Sequence, residues 1–229
     1  MALCKLRRLL LPLFALGLGN AFALDNYHAT YDLQIRGVNA GKVRHEAIFT
    51  GNTYRIDTFA KPAPAAKLLG YGDIRETVTG FIRKGDVQPE RYRRTMESDA
   101  SFQLEYIFVP AERRVDVNIA GKAQALVYEG DVPLDTLSMV VQTLLDVEQG
   151  KIRTHYSLLN DEQVRRYQVE AQADELWEGK IPARVFRQVH GNRETRIYLG
   201  ENPLRLLALT QSKDGKIRFS LKLADYRKS

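Results

Sequence analysis

The fold class of this chain is indicated first by the segment Tyr27-His28-Ala29-Thr30-Tyr31-Asp32-Leu33-Gln34-Ile35. Its odd-numbered positions carry tyrosine, alanine, leucine and isoleucine, whereas its even-numbered positions are polar. Successive side chains of an extended strand point to opposite faces, so apolar residues at every second position mark one buried face. The segment therefore predicts a β-strand that covers a core on one side only.

The same alternation recurs along most of the chain between short turn signals. Gly37–Gly41 and Gly51-Asn52 are predicted turns, and Lys213-Asp214-Gly215-Lys216 is a predicted hairpin, because Asp-Gly accepts the positive φ that such turns require. About a dozen strands at this spacing predict a large antiparallel sheet that is curled into a half-barrel or a barrel-like shape. The later predicted strands are Val43–Phe49, Tyr54–Thr58, Ile74–Ile82, Phe102–Phe108, Val115–Ile119, Val164–Ala171, Ala183–Val189, Thr195–Leu199, Leu204–Gln211 and Ile217–Leu223.

Two segments interrupt the strand pattern. Pro62–Gly70 is rich in alanine and leucine and predicts a short helix that begins at proline and ends at glycine. Asp135 is placed to cap a longer helix from Thr136 to about Gln149, which Gly150 ends. The apolar positions of this longer helix are Leu137, Val140, Val141, Leu144 and Leu145.

Those positions form one broad helical face, which is expected to pack against the sheet. The alternative is a helix that docks on a partner or a membrane surface, although its polar face lacks a basic excess. The predicted fold class is thus mainly β, a large curled antiparallel sheet with one amphipathic helix packed against it.

The first 23 residues have the three-part layout of a secretory signal peptide. Lys5, Arg7 and Arg8 precede an apolar run from Leu9 to Leu18, and the segment ends in a small-x-small sequence at Ala23. The run is about ten residues long, half of the ~20 that a membrane span needs, although an uncleaved anchor is the alternative. We expect cleavage after Ala23, a periplasmic location and no membrane span afterwards.

Cleavage also changes the chemistry of the remaining chain. The only cysteine, Cys4, lies in the leader, so residues 24–229 would hold no disulfide or thiol nucleophile. The full chain has 34 Lys and Arg against 28 Asp and Glu, and loss of the three leader cations lowers the net charge from +6 to +3. The signs are mixed, and the clusters Arg91–Arg94 and Arg165-Arg166 are interpreted as solvent-facing strand residues. We therefore expect no nucleic-acid partner.

Motifs that would assign a catalytic or metal site are missing. His28, His45, His155 and His190 are isolated in the sequence, although the first two could approach each other across the first predicted hairpin. The sequence has no nucleophile elbow, phosphate loop or dinucleotide fingerprint. Gly70-Tyr71-Gly72 is interpreted as a loop that could gate an opening.

Two acids are the remaining catalytic candidates. Asp131 and Asp135 lie near the start of the longer helix, and paired carboxylates can perform acid–base chemistry. Asp135 already has a structural use as the helix cap. The sequence therefore assigns no catalytic, cofactor-binding or metal-binding residue, and no cofactor is expected.

Aromatic side chains on the predicted strands permit two interpretations. They could line an apolar concavity for a lipid or an acyl chain, or they could fill the core beneath the helix, which is the preferred interpretation. These residues are Tyr27, Tyr31, Phe49, Tyr54, Phe59, Phe81, Tyr92, Phe102, Tyr106 and Phe108.

A series of short motifs, spread over nearly all of residues 24–229, resembles one known family. They are Tyr31-Asp32-Leu33, Gly37–Gly41, Pro89-Glu90-Arg91-Tyr92, Asp135-Thr136-Leu137-Ser138 and Asn202-Pro203-Leu204. In this order they resemble the exported bacterial domain-of-unknown-function family numbered, in words, three-one-zero-eight. The resemblance implies a curled antiparallel sheet with a packed helix, similar to the half-barrels of periplasmic lipoprotein carriers, and it implies no activity or catalytic residue.

Three functions are compatible with these features. The first is a single exported domain, residues 24–229, that binds or carries an apolar or envelope-derived ligand such as a lipid. The second is a structural or protein-interaction component of the cell envelope, with an envelope protein as its partner. The third and least favoured is an envelope hydrolase that uses Asp131 and Asp135.

Overall fold

A computed structural model of the chain describes residues 24–151, 153–160 and 162–229. The predicted signal peptide, residues 1–23, lies outside the described residues. The described part consists of strands with two α-helices, α1 (Pro64–Leu68) and α2 (Thr136–Glu148), and a short 3-10 turn at Pro110–Glu112. The mainly β fold class predicted from the sequence is confirmed.

Fifteen strands form one antiparallel sheet, in the order β8-β7-β6-β5-β4-β3-β2-β1-β15-β14-β13-β12-β10-β9, with β11 beside β12. The strands are β1 (Tyr27–Ile35), β2 (Val38–Thr50), β3 (Thr53–Pro62), β4 (Ile74–Arg83), β5 (Asp86–Met96), β6 (Asp99–Val109), β7 (Arg114–Ile119), β8 (Lys122–Val127), β9 (His155–Asn160), β10 (Gln163–Ala171), β11 (Glu175–Trp177), β12 (Ile181–His190), β13 (Arg193–Gly200), β14 (Arg205–Lys213) and β15 (Lys216–Lys228).

The first strand joins the two halves of the sheet. It pairs with β2 on one side and with β15, the last strand of the chain, on the other. Strands β1 to β8 and strands β9 to β15 thus extend the sheet in opposite directions, and the terminal strands β8 and β9 do not pair with each other. The sheet is therefore curled but not closed.

Tight turns with positive φ connect neighbouring strands. Asp214 and Gly215, with φ of 52° and 71°, form the predicted hairpin between β14 and β15. Gly41 has a different requirement, because a Cβ placed there would lie 2.1 Å from the carbonyl oxygen of Lys61, and its φ is 141°. Only glycine allows β2 and the end of β3 to come this close.

The longer helix follows the sequence prediction closely. Asp135 caps α2 by accepting hydrogen bonds from the backbone N–H groups of Leu137 and Ser138 at 2.9 and 3.0 Å. The last turn ends at Gln149, and Gly150 follows with a φ of 66°. A cap of this kind contributes about 1 kcal/mol.

The helix lies in the concavity of the sheet. It contacts β5, β14 and β9, which occupy the fourth, tenth and fourteenth places in the strand order. Strands so far apart in a sheet can meet one helix only if the sheet curls around it. The prediction that the helix packs against the sheet is confirmed.

The core fills the space between the helix and the concave face. Ile56, Val78, Leu144, Leu145 and Leu199 are at most 1% exposed. A smaller apolar cluster lies on the opposite face of the strands from β11 to β14, where Trp177 packs against Tyr198 and its neighbours.

Three strands, β8, β9 and β11, were not predicted, β5 was indicated only by the cluster Arg91–Arg94, and one turn was placed too broadly. These three strands lack a long series of alternating apolar residues with one buried face. β8, for example, has no buried residue. The turn predicted at Gly37–Gly41 is confined to Arg36 and Gly37, and β2 already begins at Val38. A bulge after Leu33 takes up the remaining residues, because Leu33 faces Gly41 while Gln34 faces Asn39.

Candidate functional site

The end of the concave face that lies beneath α2 is packed protein. A cavity of about 30 Å³, bounded by Tyr92, Asp135 and Leu159 among others, lies beside the start of the helix. A buried water needs a cavity of about 10–15 Å³, so this one has room for a few waters but not for an acyl chain. An apolar ligand at this end would have to displace the helix.

A polar stripe of α2 faces this packed interior. Ser138 and Gln142 are at most 2% exposed and lie one turn apart on the helix. Ser138 Oγ lies 2.7 Å from the Tyr54 hydroxyl. Gln142 Oε1 accepts the backbone N–H of Val87 at 2.7 Å, and its Nε2 donates to the carbonyl of Gly85 at 3.1 Å. These bonds hold α2 against β3 and the β4–β5 turn.

Asp135 is the most deeply buried carboxyl at this interface, at 1% exposure. Burial raises its pKa to about 6, although the hydroxyl of Ser138, which donates to Asp135 Oδ2 at 2.5 Å, opposes the rise. Because the Ser138 proton is used in this way, the Tyr54 hydroxyl donates to Ser138. The chain Tyr54–Ser138–Asp135 thus fixes the start of the helix.

A charged cluster lies at the other end of α2, beside a cleft of about 280 Å³. Arg153 Nε donates to Asp146 Oδ2 at 2.9 Å, and its Nη2 donates to Asp86 Oδ1 at 2.6 Å. The Tyr156 hydroxyl donates to Asp146 Oδ2 at 2.9 Å, and the Asp146 side chain is only 3% exposed. Arg153 is already engaged by two carboxylates, so the cluster is a structural tie and not a free anion site.

A second polar group forms a row across the concave face. His45 pairs with Thr58, Thr58 with Glu76, and Glu76 with Arg94, on the neighbouring strands β2 to β5. Directly paired residues on adjacent antiparallel strands share one face of the sheet. We call these four residues the polar row.

The histidine end of the polar row is neutral. His45 Nε2 lies 3.1 Å from the Tyr27 hydroxyl, and Nδ1 lies 3.1 Å from Thr58 Oγ1. Burial lowers the pKa of His45 to about 4, although the charges of Glu76 and Asp57 oppose the shift. A neutral imidazole donates from one nitrogen and accepts at the other, so both hydroxyl contacts can be satisfied.

The other end of the polar row is an ion pair. Arg94 Nη2 lies 2.6 Å from Glu76 Oε1, and the Tyr92 hydroxyl donates to the same oxygen at 2.5 Å. Burial lowers the pKa of Arg94, but the Glu76 carboxylate outweighs burial and raises it. The Arg94 side chain is 31% exposed, so the guanidinium reaches the open part of the face. Arg94 was predicted to face solvent on the outside of a strand, and that prediction is wrong.

Beyond the polar row the concave face is apolar and only half covered. Met96 pairs with Ile74, Ile74 with Ala60, and Leu33 with Leu221, which in turn pairs with Leu209. These side chains are half-buried, and between them lie the buried Val43 and Tyr31. We call the half-buried members the apolar band: Leu33, Ala60, Ile74, Met96, Leu209 and Leu221.

The side of the apolar band that contains Ile74 lies well away from α2. Tyr54, which contacts the helix, pairs with Gly80, and Ile74 lies six residues earlier on β4. At about 3.3 Å per residue this separation is roughly 20 Å. On β3 and β4 the helix therefore covers one end of the concave face, and the apolar band lies at the other end.

An exposed apolar rim continues the band. The connection between β3 and β4, residues 63–73, starts beside Ala60 and ends beside Ile74. Leu68, Leu69 and Tyr71 in this connection are 89%, 78% and 56% exposed. The short helix α1 was predicted, and none of its residues is buried.

The outer face carries a groove of about 520 Å³ over β1 to β4. Its lining is mixed in charge, with Arg44 and Arg75 beside Glu46 and Asp57. The Arg75 guanidinium lies 4.3 Å from the centre of the Phe59 ring. A groove with neighbouring charges of both signs is more typical of a solvent-exposed surface than of a site that recognises one class of ligand.

The histidines do not come together. His28 lies on the outer face, 3.7 Å from Glu46, whereas His45 lies in the core on the opposite face of the sheet. His155 and His190 are exposed on separate strands. Within residues 24–151, 153–160 and 162–229, no group of three or more His, Cys, Asp or Glu side chains could hold a metal ion.

The two candidate acids are also separated. Asp131 is exposed and lines the cleft beside Arg153, whereas Asp135 lines the small cavity at the start of α2. Asp135 accepts hydrogen bonds from two amides and one hydroxyl, which is the geometry of a helix cap. The structure does not bring these carboxyls together around one cavity.

The aromatic residues divide between the two interpretations. Tyr27, Tyr31, Tyr54, Tyr92, Tyr106 and Phe108 are buried in the core. Phe49 and Phe102 are half-buried beside it, and Phe59 and Phe81 lie under arginine side chains. Most of the aromatic area therefore fills the core, as preferred from the sequence.

The interior polar residues were missed by sequence reasoning. Gln142 and Asp146 are not among the apolar positions predicted for the longer helix, yet both are 2% exposed. Glu76 lies at an apolar-phase position of β4, between Ile74 and Val78, and this exception to the alternation was the available signal.

No protein-family model matches the chain, and no curated protein matches it. In the described part of the chain, neither helix has the length and apolar character of a membrane span.

Proposed function

We propose that this protein is an exported binding module for an amphipathic ligand with a long apolar chain. The apolar part of the ligand would lie along the apolar band, and its polar end would meet the polar row at Arg94 and Glu76. The observation that carries the proposal is a line of half-buried apolar side chains that α2 leaves uncovered.

The surroundings of the apolar band support this ligand class. Half-buried leucine and isoleucine side chains on a concave face expose apolar area that a hydrocarbon chain would cover, at about 25 cal/mol per Å². Arg94 is partly exposed and charged, so it offers a donor to a carboxylate or phosphate at the edge of the apolar band. The packed region under α2 would act as a fixed wall, because its polar bonds hold the helix in place.

The export part of the proposal rests on the leader sequence. If residues 1–23 are a signal peptide, the mature chain begins at Leu24 and meets envelope lipids and glycans but not cytoplasmic ligands. Mass spectrometry of the protein from a periplasmic extract should give the mass of a chain that begins at Leu24. A protein that retains Met1 and stays with the cytoplasmic fraction would contradict export.

The binding part is tested with a fluorescent long-chain fatty acid as the probe. Ile74→Glu places a carboxylate on the apolar band, and Ile48→Glu is the matched control on the outer face, where Ile48 is 38% exposed. When an acyl chain must pack against a buried carboxylate, the free energy of binding weakens by more than about 1.4 kcal/mol, which is a tenfold change in Kd. We expect at least tenfold weaker binding for Ile74→Glu and less than about a twofold change for Ile48→Glu. No binding by the unmodified protein, or equal losses in both variants, would contradict the proposal.

Binding of an apolar chain is favoured over the function of an envelope hydrolase, because the only acid pair suggested by the sequence is split between two cavities. Replacing both Asp131 and Asp135 by asparagine is therefore expected to leave binding of the probe within about twofold. The interaction-protein alternative has a different surface, the free edge of the sheet.

A further inference from the structure

The two edges of the sheet differ in how they end. At the β9 edge, the loop before α2 runs alongside in parallel: Leu134 N donates to the carbonyl of Ser157, and Leu159 N donates to the carbonyl of Leu134. At the other edge, no strand or loop in the described residues pairs with the outer side of β8. The molecule thus has one blocked edge and one open edge.

The hydrogen-bonding groups of β8 divide into two sets. Ala120 and Gly121 both have positive φ and form a two-residue hairpin turn, so Ile119 and Lys122 are the first hydrogen-bonded pair of β7 and β8. In an antiparallel ladder hydrogen-bonded and non-hydrogen-bonded pairs alternate. Ala123, Ala125 and Val127 therefore direct their N–H and C=O groups away from β7, toward solvent.

From Ala123 to Val127 the edge lacks the charged side chains, prolines and bulges that discourage pairing. Natural edges carry charges, prolines or bulges that keep other strands away. Between Lys122 and Val127 the side chains are Ala, Gln, Ala and Leu, the pairing with β7 has no bulge, and Val127 is 77% exposed. A second strand can approach this edge without a steric or charge penalty.

We infer that β8 is a dimerisation edge, at which β8 of a second copy of this chain adds antiparallel to form one continuous sheet across a two-fold axis. The axis passes through Ala125, because only this register pairs all three outward-facing residues with each other. Ala125 then faces Ala125 of the second copy, and Ala123 faces Val127. Two bonds for each of these three pairs give about six new backbone hydrogen bonds.

Charge and symmetry support a second copy as the occupant. In this register Lys122 of one copy faces Tyr128 of the other, so no charged residue of β8 faces a like charge. Because the β9 edge is blocked, pairing at β8 uses up the free edge, so the assembly closes as a dimer and does not grow into a fibre.

The expected dimer is weak, since six residues on each copy bury far less than the roughly 1,200 Å² of a stable interface. Disulfide trapping captures such a complex, and the chain suits this method because Cys4 is its only cysteine. In the full chain with Cys4→Ser, Ala125→Cys places two thiols across the axis at a Cα separation of about 5.5 Å, which a disulfide can span.

Ala123→Cys is the matched control, because Ala123 is exposed on the same face of the same strand. In the inferred register the Cα atoms of Ala123 in the two copies lie about 14 Å apart, beyond the reach of a disulfide. Under mild oxidation, Ala125→Cys should form a covalent dimer at least about tenfold faster than Ala123→Cys. Equal rates, a faster Ala123→Cys, or no dimer from either variant would overturn the inference.

A third variant separates pairing from folding. Ala125→Pro removes one outward N–H group but no bond to β7, and proline is tolerated on a strand edge of this kind. In the full chain with Cys4→Ser, Ala125→Pro should keep the midpoint of urea unfolding within about 0.3 M. It should also abolish the concentration-dependent rise in sedimentation coefficient that we expect for the parent protein. A folded Ala125→Pro variant with an undiminished rise would overturn the inference, as would a parent protein with no rise.

Discussion

Two buried groups with opposite pKa shifts give the protein an unusual pH dependence. The pKa of His45 is lowered from 6.5 to about 4, so between these values the unfolded chain binds a proton that the folded chain does not. Stability from His45 is present above pH 6.5 and falls as the pH falls to 4. At about 1.36 kcal/mol per pH unit, the total loss is about 3 kcal/mol.

Asp135 acts in the opposite direction. Its pKa is raised from 3.8 to about 6, so in this window the folded chain binds a proton that the unfolded chain lacks. Stability therefore rises by about 3 kcal/mol as the pH falls from 6 to about 3.8. The contributions of His45 and Asp135 nearly cancel between pH 6 and 4 in the unmodified protein.

Single substitutions should uncover each contribution. Asp135→Asn retains a side-chain oxygen that caps the helix, and its stability relative to the unmodified protein should fall by about 3 kcal/mol between pH 6.5 and 4. For His45→Gln the same difference should rise by about 3 kcal/mol. Urea unfolding followed by the fluorescence of the single tryptophan, Trp177, measures both differences. Flat differences, or differences of the same sign, would show that burial does not shift the two pKa values in opposite directions.

Two further predictions concern stability at pH 7. Arg153→Met should cost about 3–5 kcal/mol, because it leaves the buried carboxylate of Asp146 unpaired, whereas Arg227→Met at an exposed pair should cost at most about 1 kcal/mol; similar losses would contradict the assigned burial. Gly41→Ala should cost about 3 kcal/mol or more, since the new Cβ meets a carbonyl oxygen, and Gly51→Ala, where no atom lies within 4 Å, about 1–2 kcal/mol in urea unfolding. A smaller loss for Gly41→Ala than for Gly51→Ala would show that the approach of β2 to β3 is looser than described.

The elements that were predicted correctly are those with one buried face. In β1 the buried Tyr27, Ala29 and Tyr31 alternate with more exposed residues, and in α2 the cap at Asp135 and the stop at Gly150 are local signals. Edge strands such as β8 carry no such signal, because a strand without a buried face shows no alternation. The sequence does not distinguish a curled sheet from a closed one. Closure depends on whether β8 and β9 pair, and these strands are separated by α2 in the chain.

The candidate site was less predictable than the fold. The polar row requires the register of four strands, and a shift by one residue would place Glu76 and Arg94 on opposite faces. Arg94 follows Arg93 in a basic cluster, so the sequence alone suggested a solvent-facing pair. The apolar band is also a property of the folded sheet, because the sequence marks Ile74 and Leu221 as inward-facing but does not show where α2 stops covering the concave face.

The most direct test of a ligand on the apolar band is a methyl NMR titration with the same long-chain fatty acid. A fatty acid on the apolar band should shift the methyl signals of Ile74, Leu209 and Leu221, but not those of Ile56 or Leu145 beneath α2. Shifts confined to Ile56 and Leu145 would show that the ligand enters under the helix. Either that result or the absence of any shift at saturating fatty acid would contradict the account.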